Sequence, residues 1–485
     1  MNLRISRLFP ALRQAEGNGC GCTQHGVWKS CIVLLFWAAT AVALPAQTFT
    51  TLVNFDGTNG VGPYFESLVQ GIDGNLYGTT AYGGANGDGT VFKVSEIGTL
   101  TTLHSFAGYP TDGQTPYGGL VLATNGNFYG TTTAGGTSGF GTVFEITPAG
   151  VVTTLHSFDY SDGEFPIGAL IQATNGSLYG TTYGGGSGGN GTVFKITLGG
   201  ALTTLYNFCP QAPCTNGQVP YAGLVQATNG NFYGTTSAGG ANDDGTVFKI
   251  TPAGVLTILH SFDLTDGGDP DAALVQATNG SFYGTTTGGG ANGYGTVFKI
   301  TAGGTLATLH SFDFTDGESP YAGLVQATNG SFYGTTGAGG SGADDFGTVF
   351  EITPAGVLTT LHSFDATDGE LPYGGLVQAT NGTLYGTTAQ GGDNSDGTIF
   401  SLSVGLGPFV ETLPGAAAVG SEVGILGTKL SGATSVTFNG TPAKFSVRSA
   451  SLIITHVPAG ATTGTVQVAL PSGTLSSNVA FRVLP

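Results

Sequence analysis

The chain has 485 residues and a formal net charge of −18, with 86 glycines and only 9% charged residues. That length accommodates two or three domains, and so acidic a surface repels phosphate backbones, so nucleic acid is not an expected partner. The glycines recur at fixed positions among Thr, Val, Phe and Tyr, which is strand composition, and the repeated region has no helical periodicity.

Residues 1–46 hold four basic side chains and one acidic one, so the rest of the chain carries 8 basic and 29 acidic residues, a net of −21. Within them Ile32–Ala43 reads IVLLFWAATAVA and is followed by LPAQ. This has the form of a secretory signal with a long basic n-region, cleaved after Ala43 or Ala46. The apolar run is shorter than the ~20 residues a membrane helix needs, so no membrane span is expected in the mature chain. The expected location is secreted or cell-surface. Cys20, Cys22, Cys31, Trp28 and Trp37 would leave with this segment. Cys209 and Cys214 remain, in the loop Cys-Pro-Gln-Ala-Pro-Cys, where export favours a local disulfide. Two thiols without further ligands make an incomplete zinc site.

From residue 47 a unit of about 51 residues repeats. Its marker is [L/F]-Y-G-T-T, with tyrosines Tyr77, Tyr129, Tyr179, Tyr233, Tyr283, Tyr333 and Tyr385 spaced by 52, 50, 54, 50, 50 and 52 residues. Each unit divides into strand a (LVQAT), an Asn-Gly hairpin turn, strand b (FYGTT), a Gly/Asn/Asp loop, strand c (GTVFKIT) and, after Pro-Ala-Gly, strand d (LTTLHSF). Four short antiparallel strands repeated in this way predict a β-propeller blade. Strand c turns apolar residues both ways, as expected of a sheet covered on both faces, and the glycine inside strand b, Gly334 for example, suggests close approach of the neighbouring blade. The seventh unit lacks a following strand d, while Thr50–Phe55 precedes the first strand a. The N-terminal strand is therefore expected to complete the last blade, giving a closed seven-bladed ring with no open edge over 47–404.

The repeat LVQATNGxFYGTT…GxGTVFKIT…LTTLHSFxxxDGxxPY over Thr48–Ser403 resembles the GloVer tandem repeat of bacterial exported proteins, the choice-of-anchor group. The resemblance implies export and a propeller-like domain and no established activity. Such members end in a sorting or anchoring element, whereas Arg482–Pro485 has no terminal apolar helix or basic cluster. After a linker at 405–408, residues 409–485 alternate as short strands separated by turns such as Asn439-Gly440, which predicts a β-sandwich. GSEVGILGTKLSGATSVTFNG and the segment after it resemble an IPT/TIG immunoglobulin-like domain, implying a spacer or interaction module.

The chemistry is sparse. His104, His156, His260, His310 and His362 share one position in strand d, but Val53 and Tyr206 occupy it in the other copies, so it reads as an outer packing site. Strand alternation brings the b–c and d–a loops to one face. There Asp162, Asp266, Asp316 and Asp368 each precede a glycine, which suits either an ordinary turn or calcium ligation by carboxylates and carbonyls. Tyr64, Tyr117, Tyr221, Tyr321 and Tyr373 beside the d–a loops are the candidates for stacking on a sugar. A specific site is expected where the repeat symmetry breaks: at Asp269 and Asp271, the latter where tyrosine is usual; at Phe65-Glu66; at Ser341–Phe346; and at the Cys209–Cys214 loop. No nucleophile motif is present. The expected function is a non-enzymatic binding or scaffold protein presenting an acidic loop face to a glycan, cell-wall or protein ligand. The alternatives are an extracellular carbohydrate-active enzyme and a structural adhesion component.

Overall fold

The computed structural model describes residues 47–65, 67–341 and 345–485. The signal expected over 1–46 lies outside the described residues, as do Glu66 and 342–344. No helix among the described residues is long and apolar enough to cross a membrane.

Seven four-stranded antiparallel sheets follow one another along the chain as blades. In blade 5, strands a to d are Val275–Gln276, Phe282–Thr286, Thr296–Ile300 and Leu306–Ser311. Strand b is buried along its whole length and strand c all but once, because both faces of each blade are covered. The tyrosine of each FYGTT or LYGTT leaves its own sheet and packs on the next blade: Tyr77, Tyr179, Tyr233 and Tyr283 each stack on the following strand-b phenylalanine at 4.1 Å. Its hydroxyl is not stranded: the turn asparagine donates to it, as Asn279 does to Tyr283 at 2.9 Å, and in blade 1 Tyr77 itself donates to Asp73 at 2.9 Å. Deep burial of the largest side chains therefore leaves no polar group unpaired at this position.

Ring closure is as expected. Thr48–Asn54 pairs antiparallel with Thr398–Ser403 and completes blade 7. A second device spans the blades: a strand-a glutamine accepts the threonine N–H of the preceding blade's turn. Gln326 does so from Thr278 at 2.9 Å, and Gln70 closes the circle by accepting from Thr380 at 2.9 Å.

Two expectations are corrected. Strand a is only two residues long in every blade, because the residues after Val-Gln already form the hairpin turn, with Ala277 N–H bonded to Ser281. The strand-b glycine answers to its own blade and not to the neighbour: a Cβ on Gly334 would lie 2.7 Å from Phe350 Cζ and 2.8 Å from Leu324 Cδ2.

The C-terminal module is a sandwich. Glu411–Leu413, Glu422–Leu426, Leu452–His456 and Phe445–Val447 form one sheet; Thr441–Ala443, Ser435–Phe438, Val466–Leu470 and Gly473–Ser476 form the other. Val423, Ile425, Val436, Phe438, Ile453, Val466, Val468 and Phe481 fill the space between them. This module sits against the a–b turns, on the side opposite the long loops. Leu413 and Leu426 pack with Ile72, Leu122 and Phe128, and Ser451 Oγ donates to Ile72 O at 2.8 Å. The docking point is a break in the repeat: Ile72-Asp73 replaces Thr-Asn, and Leu122 replaces the bridging glutamine. Asn478 and Arg482 donate to the carbonyls of Gln326 and Thr228 on other blades.

Candidate functional site

The loop face is rigidly assembled. Each d–a loop pairs with the b–c loop of the blade it enters, as Glu318 N–H does with Ala338 O at 2.8 Å and Ala338 N–H with Glu318 O at 3.1 Å. The loops approach so closely that only glycine fits between them: a Cβ on Gly289, at φ +72°, would lie 2.6 Å from Leu264 O.

A strained residue aims each side chain into the channel. The residue before the channel proline is left-handed in every unit, at φ 61° for Gly62 and at 51–60° for Thr115, Phe165, Val219, Asp269, Ser319 and Leu371. This conformation is unfavourable before proline and for bulky residues. It is held because the residue bridges two blades. Asp269 N–H donates to Asp244 O at 3.2 Å in blade 4, and Asp269 O accepts from Thr287 N–H at 3.1 Å in blade 5. Gly62 does the same between Asp396 and Ala81, each at 2.9 Å. The turned chain then directs the residue after proline toward the ring axis.

Those residues are Tyr64, Tyr117, Ile167, Tyr221, Asp271, Tyr321 and Tyr373. The five tyrosines therefore come together at the channel mouth. Unit 1 has one extra residue between Tyr64 and Leu68, and this places Phe65 in the middle. Its ring lies 5.8 Å from Tyr117, 5.3 Å from Tyr221, 6.0 Å from Tyr321 and 5.6 Å from Tyr373. Tyr82 extends the cluster by a 2.6 Å hydrogen bond to Tyr117, and Tyr183 packs edge-on to Tyr221. Below the mouth a cavity of about 380 Å³ is bounded by small residues, among them Gly119, Ala169, Gly223, Ala273 and Gly375, with Phe65, Tyr221, Asp271 and Tyr321 at its rim.

Asp271 is the one acidic side chain in this ring of seven positions. It accepts from Ser237 Oγ of blade 4 and, at 3.2 Å, from Thr287 Oγ1 of blade 5. Burial, with a smaller contribution from the Asp269 charge, pushes its carboxyl up to about 6 against the pull of those two hydrogen bonds. Burial and the Asp271 charge in turn raise the phenols of Tyr221 and Tyr321. Asp269 is exposed beside them, its carboxyl raised by partial desolvation among its neighbours and by the Asp244 charge.

The other candidates do not join this site. Asp162, Asp266, Asp316 and Asp368 lie on separate blades, and each accepts or shares a proton with the strand-d histidine, His156, His260, His310 or His362, at 2.7–2.8 Å. Among the described residues no three His, Cys, Asp or Glu side chains converge as a metal site. The histidine position is thus more than packing. Where the histidine is Tyr206, the aspartate is Asn216, which donates to the phenol at 3.1 Å; where it is Val53, the equivalent residue is Asn59. Cys209 and Cys214 are joined by a disulfide on the same face, away from the mouth. Phe65 was visible in the sequence as a break in the repeat, but Ser237, Thr287, Tyr82 and Tyr183 carried no signal that they would surround the axis.

The architecture defines a seven-bladed β-propeller followed by an immunoglobulin-like module. The chain belongs to the Gloeobacter/Verrucomicrobia repeat family, which matches residues 10–227 and 169–400, and residues 410–483 match the IPT/TIG domain. No curated protein matches the sequence. Among solved structures it is similar to a fungal alcohol oxidase in complex with copper, at 14% identity and TM-score 0.50, over 90% of this chain and 99% of that one. It also resembles the periplasmic gluconolactonase of Pseudomonas aeruginosa, at 17% identity and TM-score 0.43 over 69% and 96% of the two chains. A gluconolactonase of Xanthomonas campestris is similar at 13% identity and TM-score 0.40, over 70% and 97%. These likenesses concern the fold. A repeat propeller joined to an IPT/TIG domain suggests an extracellular binding or scaffold protein.

Proposed function

We propose that the protein is exported and binds, without chemical turnover, a glycan, cell-wall or protein ligand at the channel mouth on its acidic loop face. The observation that carries this reading is the convergence of Tyr64, Tyr117, Tyr221, Tyr321 and Tyr373 from five different blades at the channel mouth, where Tyr221 and Tyr321 also line the cavity. Aromatic faces give a sugar ring or an apolar side chain a large contact area at low entropic cost. The loops beneath them are tied by backbone hydrogen bonds, so little ordering is needed on binding. The IPT/TIG module, on the opposite face, leaves the mouth clear and serves as a spacer.

A carbohydrate-active enzyme is the second reading, favoured by the raised carboxyl of Asp271, a property of general acids and bases. A polysaccharide and oligosaccharide panel, scored both for binding and for released products, separates the two. Binding without turnover, weakened in a Tyr321→Ala, Tyr373→Ala double variant, supports the binding role. Turnover that disappears in Asp271→Asn replaces it with the enzymatic one.

A further inference from the structure

We propose that the group seated against Asp271 is a positively charged ammonium, so that the ligand is an amine-bearing molecule such as a glycan with free amino groups. This rests on reading the channel mouth as the binding site. Three observations converge. Asp271 is a carboxylate at the rim of the cavity, and among the described residues it has no Lys, Arg or His partner. Its two hydrogen bonds come from neutral hydroxyls, which leave its charge uncompensated. Second, the rings beside it are phenols and a phenyl, Tyr221, Tyr321 and Phe65, whose faces attract a desolvated cation. Third, the field around the mouth has one sign. None of the b–c and d–a loops contains Lys, Arg or His, whereas the blade lysines, Lys93, Lys195, Lys249 and Lys299, sit in strand c opposite the strand-b tyrosines, toward the other face. An anion is therefore repelled and a cation drawn in. The cavity of about 380 Å³ accommodates a saccharide unit.

The asymmetry gives the ligand a direction. Six of the seven axial positions are aromatic or aliphatic and one is acidic, so a ligand with an amine at one end and an apolar face at the other has a single preferred orientation.

The test is calorimetric titration of the full chain at pH 7.5 with glucosamine oligomers, N-acetylglucosamine oligomers of the same length, and tetramethylammonium. The expected result is at least tenfold tighter binding of the free-amine oligomer than of the acetylated one. Asp271→Asn should remove that preference, weakening the free-amine oligomer until the two oligomers bind within about twofold of each other. Asp345→Asn, the same charge change at an exposed position of the loop face, should retain it. Equal affinity of the two oligomers overturns the ammonium assignment and leaves the binding role standing. Binding of tetramethylammonium alone, lost in Asp271→Asn, keeps the ammonium site and removes the glycan. Binding of none of the three overturns both.

Discussion

Replacing Asp271 by asparagine should stabilise the ligand-free protein at pH 8 and leave it unchanged near pH 4. The carboxyl is raised from the ordinary 3.8 to about 6, chiefly by burial. The folded state therefore holds this proton more tightly than the unfolded chain. The sign follows: below pH 4 the group is protonated in both states and costs nothing, and the cost grows through the interval up to 6 and is complete above it. Two units at 1.36 kcal/mol each set a ceiling of about 3 kcal/mol. The side chain keeps partial access to water, which lowers the expectation to about 1–2 kcal/mol. The amide has no charge to desolvate and keeps its partners. Ser237 can still donate to the oxygen, and Thr287 can turn its hydroxyl proton to Asp269 O, 3.0 Å away, and accept from the new NH2. The groups facing Asp271 are Asp269, Tyr221 and Tyr321, and the two phenols stay neutral throughout this range. With an unfolding entropy of roughly 2 cal/mol/K per residue, that gain raises the melting temperature by roughly 1–2 °C. Scanning calorimetry of both proteins from pH 4 to 8 measures it. A variant no more stable than the parent at pH 8, or a difference independent of pH, would refute the reasoning.

Three further outcomes are expected. Gly334→Ala places a Cβ 2.7 Å from Phe350 Cζ and should cost about 1–3 kcal/mol by urea denaturation. His310→Tyr alone separates Asp316 from its partner, whereas His310→Tyr with Asp316→Asn rebuilds the Tyr206–Asn216 pair; a double-mutant cycle should show a favourable coupling of about 1 kcal/mol. Deleting Thr48–Asn54 bares the edge of Thr398–Ser403 and should give oligomers by size-exclusion chromatography where the parent gives a single species.

Much of this fold could be read from spacing alone. Tyrosines every 50–54 residues, Asn-Gly turns between them and a displaced strand d led to a closed ring, and Thr48–Asn54 pairs where that displacement required. Side-chain roles were less legible, for a physical reason. A repeat unit reports what every copy shares, and shared residues such as the FYGTT tyrosine build blade interfaces. The inward turn of the axial residues depends on a left-handed residue before proline, and Thr115, Phe165, Val219 and Leu371 carry no glycine to announce it. The His–Asp pairs hid differently. Taken alone, the histidine points to packing and the aspartate to turns or calcium, whereas the exchange of His with Asp for Tyr206 with Asn216 ties them together.

A ring of equal blades cannot by itself prefer one orientation of a ligand on its axis, because seven identical contacts offer seven equivalent poses. Selectivity must come from the departures, and these have segregated by face. On the turn side, Ile72 and Leu122 give up a turn threonine and a bridging glutamine and receive the IPT/TIG module instead. On the loop side, Phe65 fills the centre of the tyrosines while Asp271 supplies a single charge at the rim. Phe65 touches rings from blades 2, 4, 6 and 7, and the two positions without a ring, Ile167 and Asp271, lie two blades apart. One arc of the mouth is therefore aliphatic, a nearby one acidic and the remainder aromatic. A ligand bound there meets three different chemistries around one axis, which a strictly symmetric propeller could not provide.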